Sequence, residues 1–213
     1  MEDRQNKIKV VTMALFIVAN LIAFKLFPTE GRFQDISALI VFFVITPVLF
    51  NKFILKKDFS LFGLVVGDWK NGLVWAGLSL LMSFLIFYII FHYTSFLDNY
   101  IISRRIAEDF LYFVYYELVL VLSLSFIYEF FFRGFVMFQF LRFLGYGAVL
   151  LQFLIFVVLI WFSPDFSWNF IPYIIFFPFA GLVAFKSNSI IYSLVAQSFF
   201  IFIVDVIFIR FAF

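Results

Sequence analysis

About seven stretches of this chain stay apolar for the length that a hydrocarbon core demands, and that property removes most folds. A bilayer interior is about 30 Å thick, so a helix needs roughly 20 apolar residues to cross it. The runs fall at about residues 8–27, 36–55, 73–96, 110–132, 148–162, 170–185 and 190–209. In lipid, each backbone N–H and C=O must be satisfied within the structure, and a helix does so inside one segment. Composition agrees. The chain is 66% hydrophobic and 13% charged, with a mean hydropathy of +1.13. A soluble domain is about half apolar and about a quarter charged. The expectation is an all-α, polytopic transmembrane bundle of about seven helices, eight if one is missed. No repeat or linker divides residues 1–213, so one domain is expected.

The sixth run is short and holds Pro172 and Pro178, which makes it the weakest of the seven. Pro47 is expected to kink the second. Polar connectors lie at 56–71, with an interfacial stretch at 59–67, and at 98–109, read as a loop or short surface helix. A third, proline-containing loop is expected at 163–169. With seven crossings, ten of the 15 Lys and Arg residues fall on the side of the N-terminus and five on the other. Basic loops stay in the cytoplasm, so the N-terminus is expected there and the C-terminus outside. The charged start runs into a long apolar segment without a small-residue cleavage site, so no cleavable signal peptide is expected. The expected setting is a prokaryotic cytoplasmic membrane. Phe accounts for 39 residues, and Phe serves lipid-facing positions as well as Leu does. Basic residues scattered between apolar spans point to no nucleic-acid partner.

Against this background the run Tyr128-Glu129-Phe130-Phe131-Phe132-Arg133-Gly134 stands out. An acid and a base four residues apart share one helix face. Charges within a membrane segment are costly, usually paired, and usually functional. The spacing alone is equally consistent with a structural ion pair and with a working site. On the topology above, the pair sits at the cytoplasmic end of the fourth span. Other intramembrane polar residues are few. Glu117 lies eleven residues before Tyr128, about three turns, on the same face, and reads as a hydrogen-bonded carboxyl. Asp205 lies in the seventh span, within reach of a neighbouring cation or Arg210, and Gln197 reads as helix–helix glue. His92 reads as interfacial. With Cys 0 and His 1, disulfides and thiolate metal sites are excluded, and one His with carboxylates is a poor zinc set. No cofactor is expected, zinc included.

The stretch Glu129-Phe-Phe-Phe-Arg133-Gly134-Phe135 resembles the first motif of the CPBP family. This family, also called Abi, comprises intramembrane CAAX prenyl proteases and bacteriocin-processing enzymes. Its motifs run E-E-x-x-x-R, then F-x-x-x-H, then H-x-x-x-N or D, on successive core helices. Phe62-Gly63-Leu64 with Gly72-Leu73 resembles the approach to the family's first conserved helix, and residues 189–197 resemble the run leading to its third motif. The resemblance covers roughly residues 60–205 and implies a CPBP-like helical core.

Three departures accompany it. Tyr128 stands where the family has its first, water-activating Glu. The second motif's His falls at Ile160, or at Trp161 when counted from the first motif. Gln197 replaces the third motif's His and Ile201 its Asn or Asp. Tyr, with a pKa of about 10, is a poor base at neutral pH, and Gln takes up no proton. The resemblance therefore implies a catalytically degenerate member in which Glu129 and Arg133 are remnants. It would bind a membrane protein, a lipidated or transmembrane peptide, or lipid, or act as a scaffold in a membrane complex. Two alternatives stay open: an active protease using Glu129 with Glu117, Asp205 or Tyr128, and a proton-coupled transporter or lipid-handling protein using Glu117 and Asp205.

Overall fold

The computed structural model describes residues 2–28, 30–56, 58, 62–162 and 167–212. Lys57, residues 59–61 of the interfacial stretch and residues 163–166 of the third loop lie outside the described residues, as do the side chains of Arg4, Lys7 and Arg32. The described chain is an all-helical bundle with seven long elements. These are α1 (Glu2–Leu26), α2 (Phe33–Leu55), α3 (Trp69–Tyr93), α4 (Phe110–Leu144), α5 (Gly147–Trp161), α6 (Ile171–Ser187) and α7 (Ile191–Ala212). Between α3 and α4, two short surface helices, Phe96–Asn99 and Arg104–Glu108, form the expected polar connector.

Six helical stretches are long and apolar enough to cross a membrane, and the protein is an integral membrane protein. The weak element is the fifth, not the sixth. Helix α6 runs unbroken through Pro178 and is extended at its start by the 3₁₀ turn Trp168–Phe170. A transmembrane helix tolerates proline because neighbouring groups take over the freed carbonyls. Helix α5 has only 15 residues, about 22 Å. Its two ends nonetheless lie on opposite faces of the bundle. Tyr146, just before α5, bonds Lys186 at the end of α6 (2.6 Å). Asn169, beyond α5, bonds the backbone N–H (3.2 Å) and carbonyl (2.8 Å) of Ile101, in the connection after α3.

One face is tied together by backbone. The Asp68 N–H donates to the Ser187 carbonyl (2.7 Å) and the Ile190 N–H to the Gly63 carbonyl (3.0 Å). The connector before α3 thus locks onto the α6–α7 turn. Gly67 allows this contact: its φ is +56°, and a Cβ there would lie 2.1 Å from the Ser187 oxygen. Asp68 then caps α3, its carboxylate accepting from the Asn71 backbone (3.1 Å) and side chain (2.7 Å). Those two bonds hold the Asp68 carboxyl below its ordinary range.

Phenylalanine does more than face lipid. Most of the largest fully buried side chains are Phe, among them Phe43, Phe62, Phe131, Phe132, Phe135, Phe156, Phe176, Phe177 and Phe200. They stack between elements: Phe156 of α5 on Phe177 of α6 at 3.6 Å, Phe43 of α2 on Phe131 of α4 at 4.4 Å, and Phe62 of the connector before α3 on Phe130 of α4 at 4.7 Å between centroids. Lipid offers no hydrophobic drive between helices, so van der Waals packing and buried polar bonds must hold them together. Flat rings supply the first. Asn20, whose amide donates to the Phe42 carbonyl (2.7 Å) and whose oxygen accepts from Thr46 (2.7 Å), supplies the second between α1 and α2.

Candidate functional site

Helix α4 positions the Glu–Arg pair. Its 35 residues make it about 52 Å long, so it outruns the bilayer and does not end at the motif. Glu129 and Arg133 therefore sit within a continuous helix and are buried in the bundle. Gly134 is an ordinary helical residue and no terminus. A Cβ on it would lie 2.8 Å from the Phe62 carbonyl, so its role is to let the 62–68 connector cross the helix. Over Glu129–Met137 the helix widens into π-type i→i+5 turns, and all nine residues there are buried.

Glu129 and Arg133 have no exposed side-chain surface. The Ser193 hydroxyl, from α7, donates to Glu129 Oε2 at 2.7 Å. Arg133 Nη1 lies 3.5 Å from Glu129 Oε1, an ion pair longer than the roughly 2.8 Å of a charge-assisted hydrogen bond. Arg133 Nη2 donates to the Phe177 carbonyl of α6 (3.0 Å) and reaches Gln197 Oε1 of α7 at 3.5 Å. The guanidinium carbon lies 3.5 Å from the centroid of the Phe177 ring. Gln152 of α5 donates to the Val149 carbonyl (3.0 Å) and to the same Phe177 carbonyl (3.4 Å). The pair thus joins four helices at one point, next to the Pro178 turn.

The remaining motif positions separate. Gln197 is fully buried beside Arg133, where the resemblance puts a His. Ile160 is buried in the aromatic core. Trp161 is 81% exposed at the end of α5 and belongs to no cluster with Glu129. Phe156, one turn before Ile160, closes the interior instead, against Tyr128 (5.8 Å), Phe132 and Phe177. Tyr128 points away from Glu129 and lines a crevice with Ile201. The residues around Glu129 make a poor zinc set: Gln197 offers only an amide, and Ser193 and Arg133 engage the Glu129 carboxylate. Among the described residues no group of three or more His, Cys, Asp or Glu is arranged to hold a metal.

A second polar cluster lies nearer the opposite face. The carboxyls of Glu117 (α4) and Asp205 (α7) interact directly, and the Tyr100 hydroxyl donates to Asp205 Oδ1. Asp205 does not pair with Arg210. Burial, then the adjacent Asp205, pushes the Tyr100 hydroxyl well above its ordinary range, so it stays a donor. Along α4, Glu117 stands twelve residues from Glu129, about 18 Å, so the two carboxyls serve separate clusters. His92 is exposed near the end of α3, with Nδ1 3.1 Å from the Tyr88 carbonyl.

Sequence reasoning missed Ser193, Gln152 and Tyr100. Ser193 stands four residues before Gln197 and so shares its helix face, which is the one signal that could have found it. Gln152 was findable as a lone amide in an apolar run, whereas Tyr100 meets Asp205 across 105 residues and left no local trace. Comparisons with protein-family models, with curated proteins and with solved structures return no match.

Proposed function

We propose that this chain is a non-catalytic integral membrane protein on a CPBP-like frame, a binding or scaffold subunit of a membrane complex. The observation that carries the reading is the state of Glu129. Its carboxylate is fully buried and held by Ser193 on one oxygen and Arg133 on the other. A general base must reach a water, and this one faces a serine, a guanidinium and stacked rings. The groups that would assist it are elsewhere: Tyr128 in the crevice, and Glu117 with Asp205 about 18 Å along the bundle. Glu129 and Arg133 then act as a keystone that fixes α4 to α6 and α7. The partner classes suited to such a frame are a membrane protein or a lipidated or transmembrane peptide lying in the bilayer.

The Lys and Arg bias supports a cytoplasmic N-terminus, in a prokaryotic cytoplasmic membrane. The face closed by Gly63, Asp68 and Ser187 is then cytoplasmic, and the crevice opens outside. The test is a cleavage assay on full-length protein in nanodiscs, with a library of transmembrane and prenylated peptides. Wild type and Glu129→Ala are expected to give the same background. Cleavage by wild type that Glu129→Ala abolishes would overturn the reading.

A further inference from the structure

A crevice of about 340 Å³ opens on the face that carries the α1–α2 and α3–α4 connections. Four tyrosines line it: Tyr100 after α3, Tyr116 and Tyr128 on α4, and Tyr173 on α6. Its charged lining residues are Asp35 at the start of α2 and Asp205 on α7, and Glu117 contacts Asp205 directly. Among the described residues no Lys, Arg or His lines it. Leu120 and Leu124 make one wall apolar.

Each feature selects for the same ligand. Carboxyls with no described cation beside them disfavour anions and favour a cation over a neutral molecule of the same shape. Aromatic faces attract organic cations through the ring quadrupole, most strongly in a desolvated site. A bare metal ion would want six or more oxygen ligands, or soft donors, and could not use the rings or the leucines. The volume is at the lower end of the 300–1,000 Å³ typical of small-molecule sites. We propose that this crevice binds a substituted ammonium group carrying an apolar substituent, with the ammonium among the tyrosines and Asp205 and the substituent against Leu120 and Leu124. Two sources share this chemistry: the head group of a choline- or ethanolamine-type lipid, and a free amphipathic amine. The inference rests on the non-catalytic reading in one respect, that the crevice holds a ligand and is not a path for a protein substrate.

The test uses the full-length protein in phosphatidylglycerol nanodiscs, with binding read by calorimetry. Benzyltrimethylammonium is titrated, then choline, then the uncharged carbon isostere of choline, 3,3-dimethylbutanol. Saturable binding is expected for benzyltrimethylammonium, weaker binding for choline and none for the isostere. Asp205→Asn should weaken benzyltrimethylammonium on the order of tenfold. Tyr128→Leu should weaken it roughly threefold, and it carries the test should Asp205→Asn fail to fold. Adding phosphatidylcholine to the discs separates the sources. An apparent affinity that falls with phosphatidylcholine content identifies the lipid head group, and an unchanged one identifies the free amine. Equal binding of choline and its isostere, or wild-type affinity in the folded variants, would overturn the proposal. The cleavage assay is independent: Glu129-dependent proteolysis would overturn the non-catalytic reading whatever the ammonium titration shows.

Discussion

Arg133→Met isolates the role of the central pair. Arg133 and Glu129 are both without exposed surface, so no solvent discount applies to their interaction. At 3.5 Å, with an effective dielectric near 20, their attraction is about 5 kcal/mol. The bond from Nη2 to the Phe177 carbonyl adds about 1.5–3 kcal/mol, as bonds from charged donors do. Desolvating two ions costs about several kcal/mol each, so the intact pair is close to neutral overall. Removing one partner is different, because it leaves the other buried and uncompensated. Arg133→Met should therefore cost about 3–5 kcal/mol. Glu129→Gln combined with Arg133→Met should recover most of that. The amide still accepts from Ser193, Met packs on Phe177, and no uncompensated charge is left buried. The assay is reversible unfolding in mixed micelles by SDS titration, run on wild type, both single variants and the double variant. A loss below about 1 kcal/mol for Arg133→Met, or a double variant no more stable than the single, would refute the keystone argument.

Three further outcomes are expected. Gly134→Ala should destabilise by about 1–3 kcal/mol in the same titration, because its Cβ would press on the Phe62 backbone oxygen at 2.8 Å. Gly77→Ala, with nothing within 4 Å, should be neutral or slightly stabilising, and equal effects at the two sites would remove the steric explanation. Ser193→Ala should cost about 1.5–3 kcal/mol by stripping Glu129 Oε2 of its donor, and a neutral result in the unfolding assay would show that Arg133 alone holds the carboxylate. Asp68 predicts a pH effect. Its folded pKa is depressed by the bonds from Asn71, so its contribution is complete above the unfolded carboxyl value of about 3.9 and is lost as pH falls through the lower folded value. Stability measured from pH 5 down to pH 2 should show a shallower acid decline in Asp68→Asn than in wild type. Parallel curves would count against the cap.

The legible and illegible parts of the site divide by sequence separation. Glu129 and Arg133 were visible because two charges at helical spacing in an apolar run are anomalous on sight. Gln197 was visible for the same reason. That Gln197 and Ser193 reach back to the pair was not, because 64 residues separate each of them from its partner on α4 and no local spacing encodes that contact. Trp161 was read one residue into solvent: near a short helix end a shift of one position rotates a side chain about 100°, and Phe156 faces inward instead. The motif seemed to lie at a helix end because the fourth apolar run closes at residue 132, just before Arg133. The helix continues because lipid gives the backbone of α4 no better partner than its own next turn.

Sequence by itself determined that this chain lives in a membrane as a helical bundle, since apolar runs of bilayer length admit nothing else in lipid. It also marked the costly charges, because burying an ion is costly wherever the fold puts it. Only the tertiary structure decided what those charges do. Whether Glu129 meets water or a serine, and whether Asp205 faces Arg210 or a ring of tyrosines, depends on distances between helices that no local spacing encodes. Those distances are set by stacked phenylalanines and close glycines, whose fit is a property of whole surfaces in contact.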